Sequence, residues 1–309
     1  MQPRILVGTK DGLHEVHGNR QILFAGHEVR ALAHNDADWW AIIDRGEVWR
    51  SNATGTWKKV TTVEVLRAHC LLPTTTGPLV GTSEAHLFAL HGETLEPVRA
   101  FDTVQGREEW HNPDGSPPDA RSLSADPSGV VYVNVHVGGV VRSTDGGRSW
   151  TPTIDVHADV HQVLYEPGAR LVLAAAARGL AVSDNRGETW RFDTAGLHGH
   201  YLRAVAVAGR TVLITASTGP FTHRAAVYRK PLAGNTPFER CCEGLPEWFA
   251  NNINTFCLTA ADSWVALGTT TGEVYLSSDK GQHWSVAAEG LPPVRCVALG
   301  TARSSVAVI

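Results

Sequence analysis

The chain has 309 residues, enough for two domains or for one large all-β or α/β domain with a sizeable core. Thirty Gly, sixteen Pro and ten Trp beside a single Met describe tight turns and flat packing residues, which suits short strands and disfavours a helical architecture. Lys plus Arg total 27 against 31 for Asp plus Glu, a net charge of −4, so no global basic field exists to hold nucleic acid or an acidic membrane.

In chain order, the opening MQPRILVGTKDGL lacks a charged region followed by an apolar one, and no stretch approaches the roughly 18 apolar residues of a membrane span. Five cysteines without a C-x-x-C pair fit reduced thiols, so the expectation is a cytoplasmic protein. Arg4-Ile-Leu-Val-Gly8 reads as the second strand of a four-stranded unit. One pattern then recurs without gaps: Val29-Arg30-Ala-Leu-Ala, Leu66-Arg67-Ala-His-Cys, Ala120-Arg121-Ser-Leu-Ser, Val160-His161-Gln-Val-Leu, Leu202-Arg203-Ala-Val-Ala, Ile253-Asn254-Thr-Phe-Cys and Val294-Arg295-Cys-Val-Ala. The key positions 30, 67, 121, 161, 203, 254 and 295 are spaced by 37 to 54 residues, close to one four-stranded propeller blade each. The expected fold is therefore all-β: a single seven-bladed β-propeller domain over residues 1–309, with four antiparallel strands per blade. Val294 to Leu299 reads as a first strand, so the N- and C-termini should close one blade, with Ser304 to Ile309 competing with Arg4 to Gly8 for the second-strand place.

A second repeat lies within these units. Ser143-Thr-Asp145-Gly-Gly147-Arg-Ser-Trp150 and Ser277-Ser-Asp279-Lys-Gly281-Gln-His-Trp284 both read S-x-D-x-G-x-x-W, and Ser183-Asp-Asn185-Arg-Gly187-Glu-Thr-Trp190 differs by Asn for Asp. The pattern suits a hairpin turn in which the Asp or Asn side chain accepts backbone N–H groups, Gly supplies a positive φ and Trp anchors the return strand. With these motifs the chain resembles the bacterial Asp-box, or BNR-repeat, propeller superfamily, which includes sialidases and photosystem II assembly-factor-like proteins. The resemblance specifies fold far more than chemistry. It implies that the Asp-boxes share one face and that function sits on the opposite face, among loops joining fourth to first and second to third strands. Of the sialidase F/Y-R-I-P motif only Arg4-Ile5 is kept, and no Tyr–Glu pair is assignable, so sialidase activity is not expected.

On that opposite face the seven aligned positions would ring the channel mouth. Arg30, Arg67, Arg121, Arg203 and Arg295, with Asn254, suit a carboxylate- or phosphate-bearing ligand. Glu28, Glu64, Asp119 and Asp159 lie two or three residues earlier, so ion pairs that knit the blades together are the alternative. His111, His157, His161, His198, His200 and His223 fall in loops of the same face and are candidate ligands for a divalent transition metal. His161, His200 and Tyr201 are equally candidates for metal-free proton transfer. Trp110 and Trp248 are candidate platforms for a sugar or aromatic ring. G-x-S-x-G and phosphate-cradling Gly-rich turns are missing, which argues against acyl transfer and nucleotide chemistry. Two readings follow: a hydrolase or lyase acting on a small or oligomeric anionic substrate, with or without a metal, or a non-catalytic module whose basic rim binds an acidic protein partner.

Overall fold

The computed structural model describes residues 3–16, 22–35, 38–52 and 55–300. They form seven four-stranded antiparallel sheets, the seven-bladed β-propeller architecture. Blades 1 to 7 are numbered by their first strands: Val29–His34, Ala68–Leu72, Ala120–Ala125, Val160–Glu166, Tyr201–Ala208, Leu258–Ala261 and Val294–Gly300. Blade 7 is completed from the other end of the chain, since Val294–Gly300 pairs with Arg4–Thr9, which is followed by Gly12–Glu15 and Ile22–Leu23. The termini thus close one blade, with Arg4–Thr9 in the second-strand place. The competing segment 304–309 lies outside the described residues.

The chain divides into two compact units. Unit 1 takes Met1–Arg30, Ala175–Leu180 and Phe192–Arg303, and packs Ile5, Val7, Leu267, Val294 and Leu299 into its core. Unit 2 takes Ala31–Ala174 and Ala181–Arg191, and packs one cluster around Phe101, Trp110, Val133 and Trp150 and another around Ile42, Val48 and Val80. Alternation places these residues: every second side chain of a strand meets the neighbouring sheet, and the aromatic rings fill the wider gaps. Phe101 meets Trp150 edge-on at 5.1 Å between ring centroids.

The three repeated turns are built alike. Asp145 Oδ1 accepts the N–H groups of Arg148 and Ser149, Gly147 N–H donates to Ser143 Oγ, and Trp150 Nε1 donates to Gly147 O at 3.1 Å. Asp279 accepts the N–H groups of Gln282 and His283 in the same way, and Asn185 accepts that of Thr189. Hydrogen bonds from the Ser149 hydroxyl and N–H hold the Asp145 carboxyl down to about 2. Burial works against ionisation of Asp279, but the His283 and Ser277 hydrogen bonds outweigh it and bring its carboxyl to about 2 as well.

First strands carry a second device. In blade 3 Ala120 pairs with Val135 and Ser122 with Asn134, so Arg121 is the extra residue of a β-bulge. The same shift singles out Arg203 in blade 5, Arg295 in blade 7 and His69 in blade 2. The structural counterpart of Arg121, Arg203 and Arg295 in blade 2 is therefore His69. Arg67 lies two residues earlier, before the strand opens, where its backbone N–H meets Ser83 Oγ. A bulge frees one side chain from the in–out alternation and re-aims it, which is why the residue types at these positions break the strand pattern.

Candidate functional site

Unit 2 gathers the bulge residues of its blades with the acids that open the next ones. His69 Nε2 stands 3.3 Å from Asp119 Oδ1, one residue before the first strand of blade 3. Asn112 Nδ2 faces Ser116 Oγ, Pro117 O and Asp119 Oδ2 at 3.1, 2.6 and 3.4 Å. Those acceptors fix the orientation of the amide, so it is Oδ1 that faces His136 Nδ1 at 2.8 Å and the imidazole that donates. His136 follows Val131–Val135 in the hairpin turn of blade 3, where its backbone N–H donates to Asp119 O. His136 Nε2 and His161 Nε2 lie 3.3 and 3.5 Å from Asp159 Oδ1, with the two rings 5.6 Å apart. His69, Asp119, Asn112, His136, Asp159 and His161 thus form one continuous polar run.

The backbone is bent to build it. A 3-10 turn over Val156–Ala158, capped by the Asp155 carboxylate on the His157 N–H, ends at Asp159 with φ 49° and ψ 68°. Val137, directly after His136, has φ 43° and is the one β-branched side chain with a positive φ among the described residues. The left-handed region is unfavourable for any side chain and most so for a β-branched one, so surrounding structure must hold both turns. His161 is fully buried, while the Asp159 side chain keeps 22% exposure.

Charge is distributed unevenly along the run. Burial raises the cost of ionising Asp119, yet the His69 contact, the Arg121 charge and Asn112 outweigh it and hold its carboxyl below the usual range. Asp159 is lowered against the same burial by His136, His161 and Arg121. Burial, with a contribution from the Arg121 charge, pushes the His136 imidazole down despite Asp159.

An open cleft of about 440 Å³ borders the run. His69, Asn112 and Asp119 line it together with Arg45, Arg67 and Glu84. Arg45 and Arg67 are exposed there, and neither guanidinium makes an ion pair with an acid among the described residues.

The other sequence candidates fall as follows. His161 belongs to the run. His111 is exposed with Nδ1 on Glu109 O, and the exposed His157 meets Asp155 only through its backbone. Trp110 is 7% exposed inside the unit 2 core, with no free face for a ring platform. In unit 1, Glu28 takes both Arg30 and Arg295 at 2.7 Å, the ion-pair knitting that was the alternative to an anion site. Arg203 Nη1 donates to Asn254 Oδ1 at 2.8 Å and lies over the Tyr201 ring. His198 has both ring nitrogens engaged, on Tyr228 Oη and Arg224 O, and packs on Trp248, whose ring centroid is 4.5 and 4.6 Å from the Arg224 and Arg240 guanidiniums. His200 is exposed, and His223 Nδ1 meets Ala250 O. Among the described residues, the metal-ligating side chains whose donor atoms converge in a group of three or more are His136, Asp159 and His161, so of the six sequence candidates only His161 takes part.

Sequence reasoning missed His136 and gave no role to His69. The signal was present in both cases. His136 directly follows an apolar strand at a second-to-third-strand turn, and Ala68-His69-Cys70 repeats the apolar–basic–small order of Ala120-Arg121-Ser122.

No family model matches this sequence, and no curated protein sequence matches it. Among solved structures, a GH74 enzyme of Niastella koreensis is similar with a TM-score of 0.62 at 14% identity, over 93% of this chain and 47% of that one. The GH74 xyloglucanase of Xanthomonas campestris is similar with a TM-score of 0.58 at 14% identity, over 92% and 46%. U3-55K is similar with a TM-score of 0.61 at 12% identity, over 92% and 83%. The chain spans about half the length of the GH74 enzymes. At these identities the likeness shows the fold, a seven-bladed β-propeller shared by enzymes and by proteins of other kinds.

Proposed function

We propose that the chain is a hydrolase or lyase acting on a carboxylate- or phosphate-bearing substrate, held in the cleft beside His69 and Asp119. The observation that carries this reading is that Arg45 and Arg67, neither in an ion pair among the described residues, line the same cleft as the His69–Asp119 pair, with Glu64 and Glu84 also on its wall. Arginine forks match carboxylate and phosphate oxygens in pairs, and an imidazole oriented by a carboxylate is suited to moving a proton. Arg121 adds positive potential close by, through its effect on Asp119. The Asp-box resemblance supports a catalytic or binding face away from the repeated turns, and the GH74 neighbours make glycosidic chemistry a fitting class.

The second reading, a module that binds an acidic protein, is favoured by the Arg30–Glu28–Arg295 bridge, because there the aligned arginines serve the fold. A product assay separates the two. On uronate-bearing oligosaccharides and phosphate monoesters, elimination gives an ultraviolet-absorbing unsaturated end and hydrolysis gives a new reducing end or free phosphate. We expect turnover that falls at least tenfold in Arg67→Ala and in His69→Gln and is kept in His223→Gln. Turnover indifferent to Arg67 and His69 in folded variants would contradict the assignment, and no turnover on either class would favour the binding module.

A further inference from the structure

We propose that His136, Asp159 and His161 form a binding site for one divalent first-row transition-metal ion, ligated by His136 Nε2, Asp159 Oδ1 and His161 Nε2. All three donor atoms lie within 4.8 Å of one another. Donor atoms held tetrahedrally about 2.0–2.2 Å from an ion stand roughly 3.3–3.6 Å apart. The two His–Asp separations are 3.3 and 3.5 Å. Two of the three donor–donor edges thus match those of a tetrahedral site, and the third, between the two Nε2 atoms, is no longer than 4.8 Å.

Hydrogen bonding gives an independent reason. His136 donates its Nδ1 proton to Asn112 Oδ1, so in the neutral ring Nε2 carries a lone pair. That nitrogen lies 3.3 Å from Asp159 Oδ1, a second acceptor, and both atoms are buried without a hydrogen bond among the described residues. Two buried acceptors this close are unfavourable unless a proton or a metal ion bridges them, and a metal ion would also engage His161 Nε2, 3.5 Å from the same oxygen. A ligating histidine whose other ring N–H is held by a fixed acceptor is the usual outer-shell arrangement of a metal site, and Asn112 supplies that acceptor. The left-handed backbone at Asp159 and Val137 fits the same conclusion, because one lies at a ligand and the other directly follows one.

Two imidazoles and one carboxylate suit zinc or iron(II) rather than the all-oxygen shells of calcium or magnesium. Three protein ligands leave a position for water or for a substrate oxygen. The proposal does not depend on the anion reading of the cleft: Co2+ binding tests the first, and phosphate binding by the chelator-stripped chain tests the second.

The full chain, stripped with a chelator and dialysed, is titrated with Co2+ alone while visible absorption and heat are recorded. We expect one equivalent bound with a tetrahedral-type spectrum, displaced by Zn2+, and affinity at least tenfold weaker in His136→Gln and Asp159→Asn. His111→Gln should bind as the unaltered chain does. Asn112→Ala, which removes a positioning contact and no ligand, should keep the stoichiometry and tetrahedral spectrum while weakening affinity about ten- to a hundredfold. If His136→Gln fails to fold, the stoichiometry and spectrum of the unaltered chain and the affinity of Asn112→Ala decide. A folded, unaltered chain that binds no Co2+, or a His136→Gln chain that keeps both affinity and spectrum, would overturn the site.

Discussion

Asp145 and Asp279 hold turn amides in two of the repeated hairpins, while Asn185 does so in the third. The difference gives a pH test. Each folded carboxyl sits near 2, below the ordinary 3.8, so its contribution is complete above about pH 4 and is lost as pH falls through 2. We expect the Ser149 and Gln282 amide resonances to titrate with midpoints near pH 2 and that of Thr189 to show no such step. Midpoints near 3.8 would mean that the carboxylates do not cap the turns. The thiols give a second test at the same scale. Cys70, Cys241, Cys257 and Cys296 are buried, and burial pushes Cys241 and Cys257 up to about 12, whereas Cys242 is exposed. Because the thiolate is the reactive form, a thiol reagent at neutral pH should modify Cys242 alone in the native chain and all five cysteines after denaturation.

Strands and turns were legible in the sequence because each rests on a local rule. The S-x-D-x-G-x-x-W turns specify their own hydrogen bonds, and apolar runs such as Val131–Val135 specify buried second strands. The bulges were less legible: a bulge is a relation between two strands, and Leu66-Arg67-Ala68 carries the same apolar–basic–small order as Ala68-His69-Cys70, so the order alone does not say which basic residue is the extra one. The partner strand decides it. Gly81 pairs with Cys70, and a Cβ on Gly81 would come within 2.6 Å of Cys70 Sγ and 3.0 Å of Ala120 Cβ. Gly81→Ala should therefore destabilise the fold by about 1–3 kcal/mol, as overpacking does, visible as a lower denaturation midpoint with an unchanged slope. An unchanged midpoint would mean that the strands separate at little cost.

For the whole chain, a repeat of 37 to 54 residues was enough to read seven blades, because each blade must bury its faces against another layer. The candidate site was less accessible, since symmetry is broken by side-chain pairing that a repeat does not record. Arg30 and Arg295 share Glu28, Arg203 meets Asn254, and Arg67, with Arg45, lines a cleft and makes no ion pair among the described residues. His136 entered the site through Asn112, a contact 24 residues apart in sequence. The claim that function sits in the Arg45–Arg67–His69 cleft is tested most directly by calorimetric titration of the folded chain with inorganic phosphate, beside Arg67→Ala and the turn variant Asp145→Ala. We expect saturable binding that weakens at least tenfold in Arg67→Ala and is unchanged in Asp145→Ala; phosphate binding that survives Arg67→Ala undiminished, or that is lost in Asp145→Ala, would contradict it.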